Sequence, residues 1–591
     1  HVQECPGCFL ELKAIHSAHS ADACCAACGA NPRCNAWTFN GAADNYCSLN
    51  YCPDERNGQP ASCASTPNDK RTSGWVVNRT KIPLAKPAAI IVTGHGNRLL
   101  DFSLKIASAW PLMPAVWAQA NSTGLVARGL NVTLWQQNVS NAFKVEGVGW
   151  EIVGNTMNQL GSCNWPNTGP AADHTPFQPS TTIYAHDSCA GLLAHNSIYW
   201  RCSAFDLDVS DRVIFEDNRV IDTNEWVVPH GNSISGYKWR DHPSSRFWSV
   251  ARNLFSRPAF QAGTEQNWNH RETLTTDGSG SWGAARILAI TGTVVQLRWL
   301  TFANPPEAGA TLIVLHGPGV GQSRLITGVA EIPPKNNRSK TKLTNLTLSE
   351  PLDGWVTPCN LSVHGSCGGA YDPAARASLV AVVSSFGSKL FVGNTFNWTE
   401  VVQMYANTLR GVVADSTFLD SNMQANVHAN GSIARGSLGL VGECYHGSGP
   451  VWFSEFISNT MIRSDGIFIR DSWANKTNEG GACAAYGGAW VRWSVIRGNS
   501  MSGLSLVSLN ESAQTKSAPL CPAVTISTAG HQGAFESTSD IVVEHNSFDC
   551  PSAGKANSGG CHLGNCTACV QRPLKSDDEA VSAKIGQLDA A

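Results

Sequence analysis

Charge is scarce in this chain. Asp, Glu, Lys and Arg make up 15% of its 591 residues and leave a net charge of −3; soluble proteins average about a quarter charged. Such a balance offers a polyanion no basic footprint, so nucleic acid is not expected as a partner. Long apolar runs are also missing: no stretch of 18 or more apolar residues occurs, so no membrane span is expected. A phosphate-binding loop is absent, because neither a Lys-Ser/Thr pair nor a helix follows Gly319 and Gly321. The pair Cys25 and Cys28 has no second ligand pair at finger spacing, which argues against zinc. The sequence begins at His1 rather than Met, and the expectation is that a secretion signal has been removed.

Cysteine, in contrast, is abundant. There are 21, an odd total, and nine precede residue 64: Cys5, Cys8, Cys24, Cys25, Cys28, Cys34, Cys47, Cys52 and Cys63. That density points to disulfides and an oxidising compartment. Local pairing candidates further on are Cys189 with Cys202, Cys359 with Cys367, and Cys561, Cys566 and Cys569 among themselves. Twelve Asn-x-Ser/Thr sequons agree with secretion: Asn78, Asn121, Asn131, Asn138, Asn337, Asn345, Asn360, Asn397, Asn430, Asn475, Asn510 and Asn565. A secreted N-glycoprotein, extracellular or at the cell surface, is expected.

The most regular feature is a six-residue phrase, apolar-x-x-Asn-x-apolar, repeated eight times around Asn155, Asn196, Asn218, Asn253, Asn394, Asn459, Asn499 and Asn546. A ninth copy, Val413–Phe418, carries Ser416 in the Asn position. The Asn-to-Asn steps are 41, 22, 35, 141, 65, 40 and 47 residues, and Ser416 splits the 65 into 22 and 43. A period near 22, often doubled, belongs to a solenoid of short strands. In each copy two apolar side chains flank a turn at Asn, which tolerates the left-handed backbone region. Coils stacked about 4.8 Å apart would let the amides bond into a ladder while the apolar flanks stack inside. The fold class expected is all-β, a right-handed parallel β-helix with a small disulfide-rich α+β module in front and a β-rich insert.

Residues 1–76 read as that module. Ser20–Cys28 has the pattern of a short helix carrying cysteines; Cys34-Asn-Ala-Trp37-Thr-Phe39 and Cys47-Ser-Leu49 read as strands. These stretches resemble the PAN/Apple family, in which a helix with Cys-x-x-x-Cys precedes Cys-x-x-Trp/Phe-x-Phe and Cys-x-Leu strands. The resemblance covers this module alone and implies binding to glycans or proteins without catalysis; Cys5, Cys8, Cys52 and Cys63 depart from the minimal pattern. Residues 77–275 are expected to form the first part of the β-helix, 276–358 an inserted small β-barrel, 359–575 the second part with a Cys-rich cap, and 576–591 a polar tail. The barrel rests on Gly319-Val-Gly-Gln-Ser-Arg-Leu-Ile326, which looks like the Gly-x-Gly-Gln-x-Arg-x-Ile phrase of barrels inserted in some secreted bacterial β-helix proteins.

Three clusters carry enough titratable groups for acid–base chemistry. Asp206 and Asp208 alternate onto one strand face, with Asp211 close behind, and could hold Ca²⁺; no other cofactor is expected. Asp222 and Glu225 lead to His230 and to Arg240, Asp241 and His242, with Trp226 and Trp239 available to stack on sugar rings. Glu443 and His446, with Asp465, Arg470 and Asp471, form the third. Complete signatures of known β-helix enzymes are absent. Of the polygalacturonase set only Gly94-His95-Gly96 occurs, and the epimerase phrase breaks at Tyr371-Asp372-Pro373-Ala374. Two readings follow. The first is a structural, adhesive or filament-forming extracellular component that binds polysaccharide or glycoprotein glycans and self-associates. The alternative is a polysaccharide lyase or glycoside hydrolase using carboxylates on the solenoid's side, with the module as its binding arm.

Overall fold

The computed structural model describes residues 10–15, 36–40, 46–51, 71–75, 88–106, 114–134, 141–159, 182–186, 188–199, 203–208, 210–221, 225–230, 232–233, 240–241, 247–256, 272–275, 281–299, 306, 308–332, 343–360, 377–383, 387–399, 401–405, 408–421, 426–427, 433–434, 437–443, 450–464, 466–472, 491–502, 524–528, 539–548, 561–562 and 570–572. The pattern at Ser20–Cys28 and the 576–591 tail lie outside them. The chain divides into two units, His1–Pro87 and Ala88–Ala591. In the first, four antiparallel strands run in the order Leu10–Ile15, Tyr46–Tyr51, Ala36–Asn40, Arg71–Trp75. Among the described residues every regular element is a strand, and no helix is long and apolar enough to cross a membrane.

In the second unit successive strands cycle through three sheets whose pairings are parallel, which defines a β-helix. Sheet 1 takes one strand from each of twelve coils: Ile90–Val92, Val116–Ala118, Phe143–Val145, Ile183–His186, Ser203–Asp208, Glu225–His230, Glu272–Thr275, Val401–Tyr405, Leu438–Glu443, Ile467–Ser472, Val524–Thr528 and Cys561–His562. Sheet 2 takes Arg98–Leu100, Val126–Arg128, Glu151–Val153, Cys189–Ala194, Asp211–Glu216, Trp248–Ala251, Gly387–Val392, Thr408–Ala414, the interrupted pair Val451–Trp452 and Glu455–Ile457, Val491–Arg497, Ser539–Glu544 and Val570–Arg572. Sheet 3 follows sheet 2 after a tight corner, from Ser103–Ile106 in coil 1 to Ser547–Phe548 in coil 11.

The repeated phrase is that corner. Its Asn residues from Asn155 to Asn499 are buried, Asn546 at the end is half-buried, and they are chained: Asn155 N donates to Asn196 Oδ1 at 2.9 Å, Asn196 N to Asn218 Oδ1 at 2.9 Å, and Asn218 N to Asn253 Oδ1 at 2.9 Å. Each Nδ2 also donates to a carbonyl of the preceding coil, as Asn253 does to Phe215 O at 2.9 Å. The backbone differs from the sequence expectation in one respect. The left-handed residue is the one before Asn: Gly154, His195, Asp217, Arg252, Gly393, Asp415, Ser458, Gly498 and His545 all have φ between 50° and 66°. The bend completed there aims the next side chain inward, and an amide satisfies the buried corner groups that the turn leaves open. The second apolar position of the phrase builds an aromatic column: Phe255 and Phe396 stack at 5.1 Å, Phe396 and Phe418 at 4.8 Å. Each such ring contributes about 2–3 kcal/mol by leaving water.

The insert falls between the sheet 1 and sheet 2 strands of coil 7. It is a closed six-stranded antiparallel barrel in the order Ser281–Thr291, Val294–Trp299, Leu343–Leu348, Ser323–Ile332, Thr311–His316, Leu379–Val383. The last strand lies beyond 358, in a stretch the sequence reading gave to the solenoid; Leu-Val-Ala-Val-Val is apolar at every position and does not reveal its partner. Ile287, Leu297, Leu312, Ile326, Leu346 and Val380 fill the barrel. Outside it, Ile313, Leu315 and Ala381 pack on Trp452 of coil 9. Gly321 (φ 94°) lies against the Trp493 ring, and Arg324 ties the glycine loop down by donating to Pro351 O at 3.0 Å and Asp353 Oδ1 at 3.2 Å.

Candidate functional site on the outer face of sheet 1

Parallel stacking places the residues of sheet 1 in columns, one residue per coil. Phe143, Ile183 and Phe205 are buried and define the core-facing parity. The opposite parity forms two columns. One runs Trp117, Lys144, Tyr184, Asp206 and Val228 through coils 2 to 6. The other aligns His186, Asp208 and His230 on consecutive coils, with Glu146, one residue past its strand, in the same line. Neighbouring coils are about 4.8 Å apart, and positions two apart on one strand about 6.6 Å.

At the coil 2–3 end the side chains interlock. Lys144 Nζ lies 2.6 Å from Glu146 Oε1 and 4.7 Å from the centre of the Trp117 ring, while Trp117 Nε1 donates to Glu146 Oε2 at 3.0 Å. The ammonium thus sits between a carboxylate and an indole face, which holds the ring in a fixed pose. Lys144 and Glu146 keep 27% and 17% side-chain exposure, so this end is open to a ligand. Farther along the same face, in coils 8–10, Gln403, Val441 and Phe468 are buried.

The sequence clusters are redistributed by this register. Asp206 and Asp208, read as one group, join His230 from the next, because Asp208 pairs with His230 across the strands. Trp226 and His230 have the same parity as Asp206 and Asp208, whereas Glu225 pairs with Ser203 on the core-facing parity and leaves the cluster. Arg240 and Asp241 belong to a separate two-stranded hairpin, opposite Ser233 and Asn232. Asp222, Trp239 and His242 lie outside the described residues, as do His446 and Asp465. In the third cluster Glu443 pairs with Ser472, and Arg470 with Val441. Trp117, Lys144, Glu146, Tyr184 and His186 were not singled out from the sequence. Their signal is the polar-apolar-polar triplet at each sheet 1 strand, Lys144-Val-Glu146, Tyr184-Ala-His186 and Asp206-Leu-Asp208, which is read as one surface only once the strands are aligned.

Two carboxylates and two imidazoles at these register positions are the residue types of general acid–base chemistry, and Trp117, Tyr184 and Trp226 are of the type that stacks on sugar rings. His186, Asp208 and His230 are also ligand types for a transition metal, and Asp206 with Asp208 for Ca²⁺. Among the described residues no group of three or more His, Cys, Asp or Glu converges as a metal site. Of the sequons, Asn121, Asn131 and Asn360 are exposed, while Asn345 and Asn397 are half-buried. Asn78, Asn138, Asn337, Asn430, Asn475, Asn510 and Asn565 lie outside the described residues. Cys359 is disulfide-bonded. Cys189 is a free thiol, so the expected bridge from Cys189 to Cys202 is not formed.

Residues 9–64 match the PAN domain family. No curated protein matches the chain. Among solved structures the chain is similar to the crystal structure of endo-xylogalacturonan hydrolase from Aspergillus tubingensis, at 11% identity and a TM-score of 0.30, over 81% of this chain and 90% of that one. The β-helix assignment rests on the strand pairing and not on that likeness.

Proposed function

We propose that this protein is a secreted, glycan-interacting β-helix protein whose sheet 1 outer face, over coils 2 to 6, holds and cleaves a polysaccharide chain. The observation that carries this reading is the column His186–Asp208–His230 beside Tyr184–Asp206, with a braced Trp117 two coils below. A row of outward-parity residues running along the solenoid suits an extended chain, and Asp206 and Asp208 are the acid and base candidates. The face carries one Lys against Glu146, Asp206 and Asp208, and Lys144 is already paired with Glu146. That balance disfavours a polyuronate and supports a neutral glycan, cleaved by hydrolysis. The PAN domain at residues 9–64 would tether the chain to glycan or protein. Secretion is supported by the Cys359 disulfide and by sequons exposed at Asn121, Asn131 and Asn360.

The test is a panel of neutral and uronate polysaccharides incubated with the full chain and assayed for new reducing ends. Hydrolysis of a neutral glycan that falls about 100-fold or more in Asp206→Asn or Asp208→Asn supports the proposal. Activity unchanged in both variants, or cleavage of polyuronates alone, sinks it. The adhesive, non-catalytic reading is favoured by the PAN domain match, and it takes over if glycans bind without being cleaved.

A further inference from the structure

The three sheets differ in what they show outward. Sheet 3 presents Thr395, Thr417, Thr460, Ser500 and Ser547 in one column, and sheet 1 presents the polar row described above. Sheet 2 presents aliphatics. Its outward-parity columns in coils 4 to 8 hold Leu192 and Ala194, Ile214, Ala251, Leu390 and Val392, then Val412 and Ala414, of which Ala194 and Ala251 are already buried by their neighbours. Only Ser249 and Glu216 interrupt them, and Glu216 is drawn to Arg252 at 2.8 Å. Ile214 and Leu390 are each 42% exposed. The strand segments Val213-Ile-Phe215 and Leu390-Phe-Val392 are apolar without alternation, the pattern of a parallel sheet covered on both faces, although Arg212 and Lys389 precede them. Here the inner face is covered by the solenoid's own core, and outside it, among the described residues, the barrel covers only the start of the sheet 2 strands in coils 8 to 10, at Leu409, Trp452 and Trp493.

We infer that the outer face of sheet 2 is a homodimer interface: two copies pack sheet 2 against sheet 2, antiparallel, about a twofold axis lying between coils 6 and 7. The inference is independent of the glycan reading. Two arguments select a second copy as the occupant. The first is area. Coils 2 to 11, ten in all at about 4.8 Å, make about 48 Å of length, and two columns with their margins about 12 Å of width. That is roughly 600 Å² per copy and 1,200 Å² in all, just above the ~1,000 Å² a specific interface needs. A flat aliphatic sheet is also complementary to itself, as the inner faces of β-sandwiches are. The second argument is charge. The apolar length is flanked by Arg128 and Glu151 in coils 2 and 3 and by Glu455, Arg497 and Glu544 in coils 9 to 11. With the axis between coils 6 and 7, coil 2 faces coil 11 and coil 3 faces coil 10. Arg128 then meets Glu544, and Glu151 meets Arg497 one column over, each twice by symmetry; within one copy Arg497 and Glu544 already lie 3.8 Å apart, so each end brings four charges together. An apolar centre with a charged rim is the usual anatomy of such an interface. Glu455 alone faces an aliphatic, Leu192, and meets no opposite charge.

The experiment is sedimentation velocity of the full chain from about 1 to 100 µM, a range matching the weak affinity expected of so small an interface. Wild type is expected to rise from the mass of one chain to that of two, and Ile214→Glu/Leu390→Glu to stay at one. Arg128→Glu should weaken association about tenfold, Arg128→Glu/Glu544→Arg should restore it, and Glu455→Leu should tighten it. A wild type that stays monomeric throughout, or association unchanged by the Ile214/Leu390 pair, overturns the interface. Failure of the charge swap to restore association overturns the antiparallel register. Both apolar side chains stand outside the core, so the melting transition should be kept; if it is lost, Ile214→Ser/Leu390→Ser replaces the pair.

Discussion

Two connections of the same coil behave in opposite ways. From sheet 2 to sheet 3 the chain always turns in two residues, one left-handed and one Asn or Ser, in every coil from the third to the eleventh. From sheet 1 to sheet 2 the connection ranges from two residues between His186 and Cys189 to the whole barrel in coil 7. The ladder bridges that barrel undisturbed: Asn253 N donates to Asn394 Oδ1 at 3.0 Å across 141 residues, and Trp248 still pairs with Lys389. Register is therefore held at one corner by buried hydrogen bonds, and the other connection is released to vary. That division lets a solenoid accept an insert without slipping.

The comparison is tested hardest at the middle of the ladder. Asn253→Ala strands Asn218 N and Phe215 O in the interior and is expected to cost about 2–4 kcal/mol, since each buried group left unpaired costs ~1–3 kcal/mol. Asn546→Ala, at the half-buried last rung, should cost less than about 1 kcal/mol, within the range of one ordinary hydrogen bond. Urea midpoints followed by tryptophan fluorescence give both, and equal losses would remove the ladder as the register-holding element.

A smaller effect is expected at Ser416, where the ladder is thinnest. Its Oγ accepts from Asn394 N at a long 3.2 Å and donates to its own neighbour Ala414 O, so the coil 7 carbonyl equivalent to Phe215 O receives no amide from it. Ser416→Asn should complete the ladder and stabilise by about 1 kcal/mol, the net worth of one hydrogen bond. A loss of stability would mean that this corner is too narrow for the amide.

The smallest effect lies on the outside of the same corner. Arg252 donates to Asp217 Oδ1 at 3.0 Å and Oδ2 at 2.8 Å, and this bonding holds the Asp217 carboxyl below the usual carboxylate range. A lowered folded-state pKa adds stability above the ordinary value of about 3.9 and loses it as pH falls through the folded value. Arg252→Ala should therefore differ slightly from wild type at neutral pH, converge with it in acid, and differ less in high salt because the pair is exposed. A difference that grows on acidification would contradict the assignment.

Much of the architecture was legible because it depends on a local pattern. Asn with an apolar residue on each side marks a buried amide at a tight corner, and that requirement survives any connection length. The same pattern misled in detail. Asn suggested itself as the left-handed residue, yet Arg252, His195 and Asp217 take that conformation while the adjacent amide turns inward. The candidate site was legible only in pieces. Asp206, Asp208 and His230 stood out as titratable groups, but no sequence distance relates His186 to Asp208 to His230 except through register. Glu225 looked equivalent to His230 until strand parity separated them.

What the sequence determined by itself is the solenoid and its period, because inward Phe, Ile, Val and Asn must recur wherever a strand turns into the core. What only the tertiary structure decided is which outward residues become neighbours. That depends on connections of 2 to more than 100 residues, whose lengths the ladder tolerates without a change of register. Inward positions obey a local rule of burial, whereas outward positions acquire meaning only from the coil stacked above and below.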